Sequence, residues 1–455
     1  MTATATEAPR DEGRAADEPA ANRPPKSIGR RVVDVLGSMK LAVVLLAILA
    51  ALTWLGTLAQ IEDGLWYVQK EFFESWGLIA ELRLSWWGNP LFVGEDGEPW
   101  PLRIPMPGAY PVMALLFVNL IVGGLLRMKW QRRNAGVLIL HLGMALLLLA
   151  GFVKLEYSNS GRVALYETPD QPGRVPGRSY EATTYTSFHD NELALLKDNG
   201  DTIEERVVPE SELGAAVDGT VTLRADDLPF TVQVYGYMEN CIARQKGPMV
   251  PARTPVIDTG DGGPKLFLDP KPRASERGAN IAGCYVTVRT NDNRQLRTVL
   301  LCVDSQPRER RAFPFTFEVD GQRYGLDLRR VVYDLPFSMR LNRFVKRDHP
   351  GTMTPADFRS FVDVGEDGEH REVQIWMNNP LRKDGYVAYQ TSWGPQIGGR
   401  PAGGPPWFSV FEVAQNPSDK WPEYACWVIA VGLLIHFGMK LKRFLDSSTR
   451  KVLNR

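Results

Sequence analysis

LAVVLLAILAALTWLGTLAQ, residues 41–60, carries no ionised side chain. At ~1.5 Å per residue, such a run makes a helix about as long as the hydrocarbon core of a bilayer is thick. Three more runs read the same way, at residues 110–126, 134–153 and 424–439. Buried helices of a soluble enzyme are the competing reading, but all four runs lack charged residues. The first run follows a long polar lead and exceeds a secretory apolar region. It therefore reads as an uncleaved anchor.

The flanks of the runs set an orientation. Short basic flanks stay on the cytoplasmic side. Lys26, Arg30, Arg31 and Lys40 precede the first run. Arg127, Lys129, Arg132 and Arg133 separate the second from the third. Lys440, Lys442, Arg443, Arg450, Lys451 and Arg455 follow the fourth. Residues 61–108 are more acidic than basic. One topology satisfies every flank: a multi-pass protein of an inner or plasma membrane, both termini cytoplasmic, and residues 154–422 extracytoplasmic. Its expected parts are a disordered cytoplasmic N-terminus (1–26), a three-span region with an aromatic-rich outer loop at 61–109 (27–153), an outer domain (154–422), and the fourth span with a basic tail (423–455).

Residues 154–422 contain no spanning run. They hold short segments rich in β-branched and aromatic residues, at 220–224, 230–237, 284–290, 295–303, 315–319, 323–328, 358–364, 372–376, 386–393 and 407–413. Asp-Gly pairs at 218–219, 320–321, 367–368 and 384–385 punctuate them, and such pairs favour tight hairpin turns. The fold expected is four α-helical spans plus a large β-rich domain, an antiparallel sandwich or split barrel. A Pro- and Gly-rich insertion runs from 243 to 280, and a second loop, GGRPAGGPP, from 398 to 406.

Composition excludes several functions. Lys plus Arg and Asp plus Glu both number 53, so the net charge of +0 suggests no nucleic acid partner. The four cysteines, Cys241, Cys284, Cys302 and Cys426, form no C-x-x-C, C-x-x-C-H or zinc spacing. No Ser-His-Asp signature, P-loop or H-E-x-x-H is present.

Of five histidines, His141 and His436 lie inside runs. Polarity is costly in hydrocarbon, so an intramembrane histidine is a functional candidate. His141 sits on a helix with Gly136, Gly143 and Gly151, where a helix or a flat ligand can approach closely. Neutral imidazole is an axial ligand of haem iron; an interhelical hydrogen bond is the other reading. Both histidines lie towards the cytoplasmic side, and they share one site only if the third and fourth spans are neighbours. His436 alternatively snorkels to the interface. His189, His349 and His370 have no ligand spacing and read as surface or turn residues. Trp66, Phe72, Phe73, Trp76, Trp86 and Trp87 fit either an interfacial belt or a haem- or partner-facing surface. Cys284 and Cys302 are equidistant from residue 293 in the turn 290–294. A hairpin centred there opposes them and predicts a Cys284–Cys302 disulfide; Cys241 is a competing partner.

Four blocks in order resemble the ResB (CcsB) family of System II cytochrome c biogenesis. They are GSMKLAVVLLAILAALTWLGTLAQ (37–60), GVLILHLGMALLLLAG (136–151), DLPFSMRLNRFVKRDHPGTMTPADFRSFVDV (334–364) and NNPLRKDGYVAYQTSW (378–393). Gly56, Thr57 and Gln60 match the close of the family's opening helix, and His141 its membrane histidine. The resemblance implies a non-autonomous subunit of a haem lyase complex, delivering haem for covalent attachment to apocytochrome c on the outer face. It implies a CcsA-type membrane partner, which carries the tryptophan-rich haem-binding loop. Here Trp86-Trp87 runs into Gly-Asn-Pro, so the chain resembles the separate ResB subunit and not a fused synthase. The cofactor implied is haem b, held transiently through iron ligation by His141. Neither the 243–280 insertion nor His436 has a match in the family pattern. The residues themselves leave a second reading open, a membrane-anchored structural or sensor protein whose β domain binds a protein partner.

Overall fold

The computed structural model describes residues 27–82, 85–86, 89–90, 102–168, 180–251, 254–258, 265–303, 315–352, 354–366, 368–394 and 407–453. Residues 1–26, Trp87, Asp367 and the loop 398–406 lie outside these, as do parts of the 243–280 insertion.

Seven α-helices form among the described residues. They are α1 (Ile28–Leu36), α2 (Met39–Asp63), α3 (Leu65–Val68), α4 (Ala109–Asn119), α5 (Ala135–Tyr157), α6 (Glu210–Leu213) and α7 (Trp421–Leu453). Among the described residues, four segments are long and apolar enough to cross a membrane: Met39–Ile61, Ala109–Leu126, Arg132–Tyr157 and Trp421–Thr449. Their outward faces expose Val43, Val44, Leu46, Leu142, Phe152, Leu434 and Phe437. Rows of large apolar side chains facing outward need hydrocarbon around them. The chain is a multi-pass membrane protein.

The second of these segments changes pitch. α4 continues as a π-helical stretch, Leu120–Leu126. Asn119, at the change, donates to Leu36 O (2.6 Å) and Ser38 O (3.0 Å), which pins the α1–α2 junction. Ser38 in turn caps α2 by accepting from Leu41 N at 3.2 Å. α5 and α7 pack closely along small residues. A Cβ at Gly136 would stand 2.5 Å from His436 N, and one at Gly143 2.6 Å from Ile429 Cγ1.

The strands are β1 (Gly77–Leu82), β2 (Ser85–Trp86), β3 (Asn89–Pro90), β4 (Leu102–Pro107), β5 (Asn159–Tyr166), β6 (Glu181–Asp198) and β7 (Ile203–Pro209). There follow β8 (Thr220–Leu223), β9 (Phe230–Met238), β10 (Cys241–Gln245), β11 (Ile257–Asp258), β12 (Lys265–Pro270), β13 (Gly283–Thr290) and β14 (Gln295–Cys302). The last are β15 (Phe315–Val319), β16 (Gln322–Asp348), β17 (Pro355–Glu366), β18 (Glu369–Trp376), β19 (Leu381–Lys383), β20 (Tyr386–Gly394) and β21 (Phe408–Gln415).

All pairings are antiparallel. The main sheet runs β18-β17-β16-β6-β5-β21-β20-β19, with β15 on β16 and β7 on β6. β6 and β16 are long enough to serve two cores. Their paired ends at Leu193–Lys197 and Tyr324–Leu328 lie against a sheet β14-β13-β9-β8, and this sandwich buries Leu193, Phe230, Val286 and Leu326. Beyond register breaks at Arg330/Val332 and Asp334/Met339, β16 pairs with β17 over a second core of Leu165, Tyr185, Met339, Val362 and Phe411. There the sheet curls until β18 meets β19 and β20. The β-rich expectation holds, with a sandwich and a curled sheet sharing two strands.

The Asp-Gly pairs behave unequally. Asp320-Gly321 and Asp384-Gly385 take positive φ at both residues and close two-residue hairpins, Val319 facing Gln322 and Lys383 facing Tyr386. Asp218-Gly219 instead follows a 3-10 turn and leads into β8.

Candidate functional site

His141 lies on α5, and its ring is turned to the second span. Its Nδ1 stands 2.7 Å from Val137 O, one helical turn back. A carbonyl only accepts, so the neutral ring carries its proton on Nδ1 and leaves Nε2 unprotonated. That is the tautomer with which imidazole binds iron. The ring edge lies on Gly124, inside the π-helical stretch. A Cβ there would fall 2.3 Å from His141 Cδ2 and 3.1 Å from Nε2. The missing side chain makes room for the imidazole, and single-turn π geometry recurs at functional sites.

His436 is not brought to the same place. Gly136, Leu140 and Gly143 form the α5 row that meets α7. At ~100° per residue, His141 is turned well away from that row. His436 lies on the α5-facing row of α7, its backbone against Gly136 and its ring 5.6 Å from that of Phe437. The third and fourth spans are neighbours, but the two imidazoles face different helices.

The cysteine expectation is corrected. All four cysteines are free thiols. Cys302 pairs with Gly283, while Cys284 pairs with Leu301. A bulge at Val288/Arg289 shifts the register by one residue. Side chains alternate faces along a strand, so one residue of slip sends the two sulfurs to opposite sides of the sheet. Cys284 enters the sandwich core; Cys302 faces a smaller cluster with Cys241.

A second polar centre escaped the sequence reading, at the joint between the membrane region and the β domain. Gly64 turns the chain from α2 into α3 with φ +83°, and its ideal Cβ position is 1.8 Å from Ser275 O. Only glycine fits that contact. Trp66 then lies under the Arg277 guanidinium, 4.0 Å from its carbon to the ring centroid, and its ring is 6.0 Å from that of His189. Arg277 also pairs with Glu210 (2.7 Å) and Glu239 (3.4 Å) and donates to His189 O (3.0 Å). Tyr67 donates to Glu239 and accepts from Asn280 Nδ2 at 2.9 Å. Burial, and then the Glu239 carboxylate, push the Tyr67 phenol up to about 12, so it remains a donor. His189 Nδ1 is buried without a hydrogen-bond partner. Burial lowers its pKa below the usual 6.5, reinforced by Arg277 and Arg330 against Asp190 and Glu276.

Trp66 is therefore a contact between domains. Phe72 belongs to the core of the membrane region, and Trp76 is 75% exposed. His349 sits in a turn, its carbonyl accepting from Thr352 N at 3.1 Å; exposed His370 Nδ1 is 3.2 Å from Asp363. Among the described residues, no group of three or more His, Cys, Asp or Glu could hold a metal ion.

A family model described as ResB-like matches residues 311–400. Over those residues the chain is similar to the ResB-like family. The match falls on the part of the β domain that holds β15 to β20. No curated protein matches the chain. That likeness supports, at the level of the family, involvement in cytochrome c biogenesis.

Proposed function

We propose that this ResB-like protein is the subunit of a haem-handling cytochrome c synthase that holds haem b in transit, with His141 as one axial ligand of the iron. The observation that carries the reading is the His141 ring, with Nδ1–H tied to Val137 O and Nε2 lying on the Gly124 gap. The residues fit the group: the tautomer leaves a lone pair for iron on Nε2, and Gly124 lets the imidazole sit between the second and third spans. When bound, haem supplies the electrophilic vinyl groups and the redox iron; this chain supplies binding and orientation. A CcsA-type subunit supplies the opposing ligand and the attachment surface. The β domain, on the outer face, holds apocytochrome c or docks that subunit. His436 has its own surroundings and stands outside the His141 site.

Co-purification of the chain with its CcsA-type partner from haem-replete cells tests the reading. The complex is expected to show a Soret band that His141→Ala removes. His141→Gly should lower cytochrome c maturation strongly, and added imidazole should restore part of it by occupying the vacated space. A colourless complex, or full maturation by unsupplemented His141→Gly, would remove His141 from the pathway and leave an anchored partner-binding protein.

A further inference from the structure

Cys241 opens β10 and Cys302 closes β14, yet both sulfurs gather around Gly283, the first residue of β13. A Cβ on Gly283 would stand 2.5 Å from Cys241 Sγ and 3.2 Å from Cys302 Sγ. The space left by the missing side chain is shared by the two sulfurs. The register explains the meeting. Cys302 pairs with Gly283 and projects to the face that carries Tyr285, Leu268 and Cys241. Cys284, one residue along, projects through the sheet into the other core and is out of reach.

The two thiols are inequivalent. Cys241 is 1% exposed and also lies 3.5 Å from Ile281 O. The Cys302 sulfur beside it, and then burial, hold its proton on. The same pairing lowers the pKa of Cys302, which is partly exposed. The outer, more acidic sulfur is the one that a reagent from solution meets first.

We propose that Cys241 and Cys302 are a dithiol–disulfide pair, with Cys302 the attacking sulfur and Cys241 the resolving one. The oxidant is a disulfide, of a small thiol or of a protein. The Cys302 thiolate attacks one sulfur of that disulfide; its S–S bond breaks, and one thiolate leaves and takes up a proton. Cys241 then gives up its proton and attacks Cys302 Sγ, and the second thiol departs. Two cysteines lose two electrons, and one disulfide becomes two thiols. The new bond ties the root of the 243–280 insertion to the edge strand of the four-stranded sheet. None of this depends on the haem reading.

The test uses the full chain in detergent, first reduced, then exposed to oxidised glutathione. Remaining thiols are alkylated after denaturation, and peptides are mapped without reduction. A Cys241–Cys302 linked peptide with alkylated Cys284 is the expected result. In Cys241→Ser, a glutathione adduct should persist on Cys302; in Cys302→Ser, Cys241 should stay a thiol. Free thiols at both 241 and 302 after oxidation of the unaltered chain would overturn the proposal. So would a glutathione adduct that persists on its Cys302, or a bond from either cysteine to Cys284.

Discussion

At the scale of single residues, the two histidines with the most telling surroundings differ in how they could be found. His141 was visible because titratable groups in apolar runs are costly and few. Its partner Gly124 was not, because a glycine seventeen positions away announces nothing until the second span lies against the third. His189 reads from the sequence as a surface or turn residue, since its neighbours Trp66, Arg277 and Arg330 come from distant parts of the chain. Its environment carries a pH prediction. A histidine whose folded pKa is depressed binds fewer protons folded than unfolded below 6.5. Its contribution is present above that value and is lost as pH falls through it towards the folded pKa. The thermal midpoint of the purified chain should therefore drop between pH 7 and pH 5. His189→Phe keeps a ring beside Trp66 but removes the titration, so it should flatten that drop. An equal drop in both proteins would show that His189 does not couple to stability.

At the scale of elements, apolar runs fixed the helices well because length against bilayer thickness is a blunt criterion. α1 was missed, being short and amphipathic rather than uniformly apolar, with Ile28, Val32 and Val35 left exposed. Strand positions were legible from alternating patterns and Asp-Gly turns, but register was not. In the hairpin of β13 and β14, Asn293 takes φ +65° and Arg289 faces Gln295, while Val288 faces Arg297. The turn is centred on Asp292, not Asn293, and one extra residue follows on β14; both are invisible in composition, and together they set Cys284 opposite Leu301. The α5–α7 seam yields a firmer statement. Gly136 faces backbone atoms of His436 and Gly432 at 2.5 and 2.8 Å from its ideal Cβ position, and backbone cannot swing aside. Gly136→Leu should force the helices apart, at a cost on the order of 1–3 kcal/mol for an overpacked contact. Gly151→Leu is the control, because nothing lies within 4 Å of its ideal Cβ. Thermal unfolding in detergent should separate the two, and equal midpoints would mean that the seam yields.

At the scale of the whole molecule, the contacts reduce topology to one choice of sign. Trp66 and Tyr67, just past the first span, are locked to Arg277, Glu239 and Asn280 of the β domain. The loop after the first span and the β domain therefore lie on one side of the membrane. Arg127, just past the second span, pairs with Asp34 of α1 at 2.9 Å, which puts the loop between the second and third spans on the side of the N-terminus. Ser418 donates to Ala150 O at 2.9 Å, joining the start of α7 to the end of α5 beside the β domain. These pairs join segments far apart in sequence, so the apolar runs alone could not show them. What remains is which side is cytoplasmic, and the basic residues give the expectation. Arg127, Lys129, Arg132 and Arg133 are crowded into one short loop, and short basic loops are retained inside. Reporter fusions after residues 80 and 300 should both read as external, and one after residue 130 as internal. Opposite readings at 80 and 300 would contradict the Trp66–Arg277 joint. An internal reading at both would keep the joint but reverse the orientation, and would remove the β domain from the face that the proposed function requires.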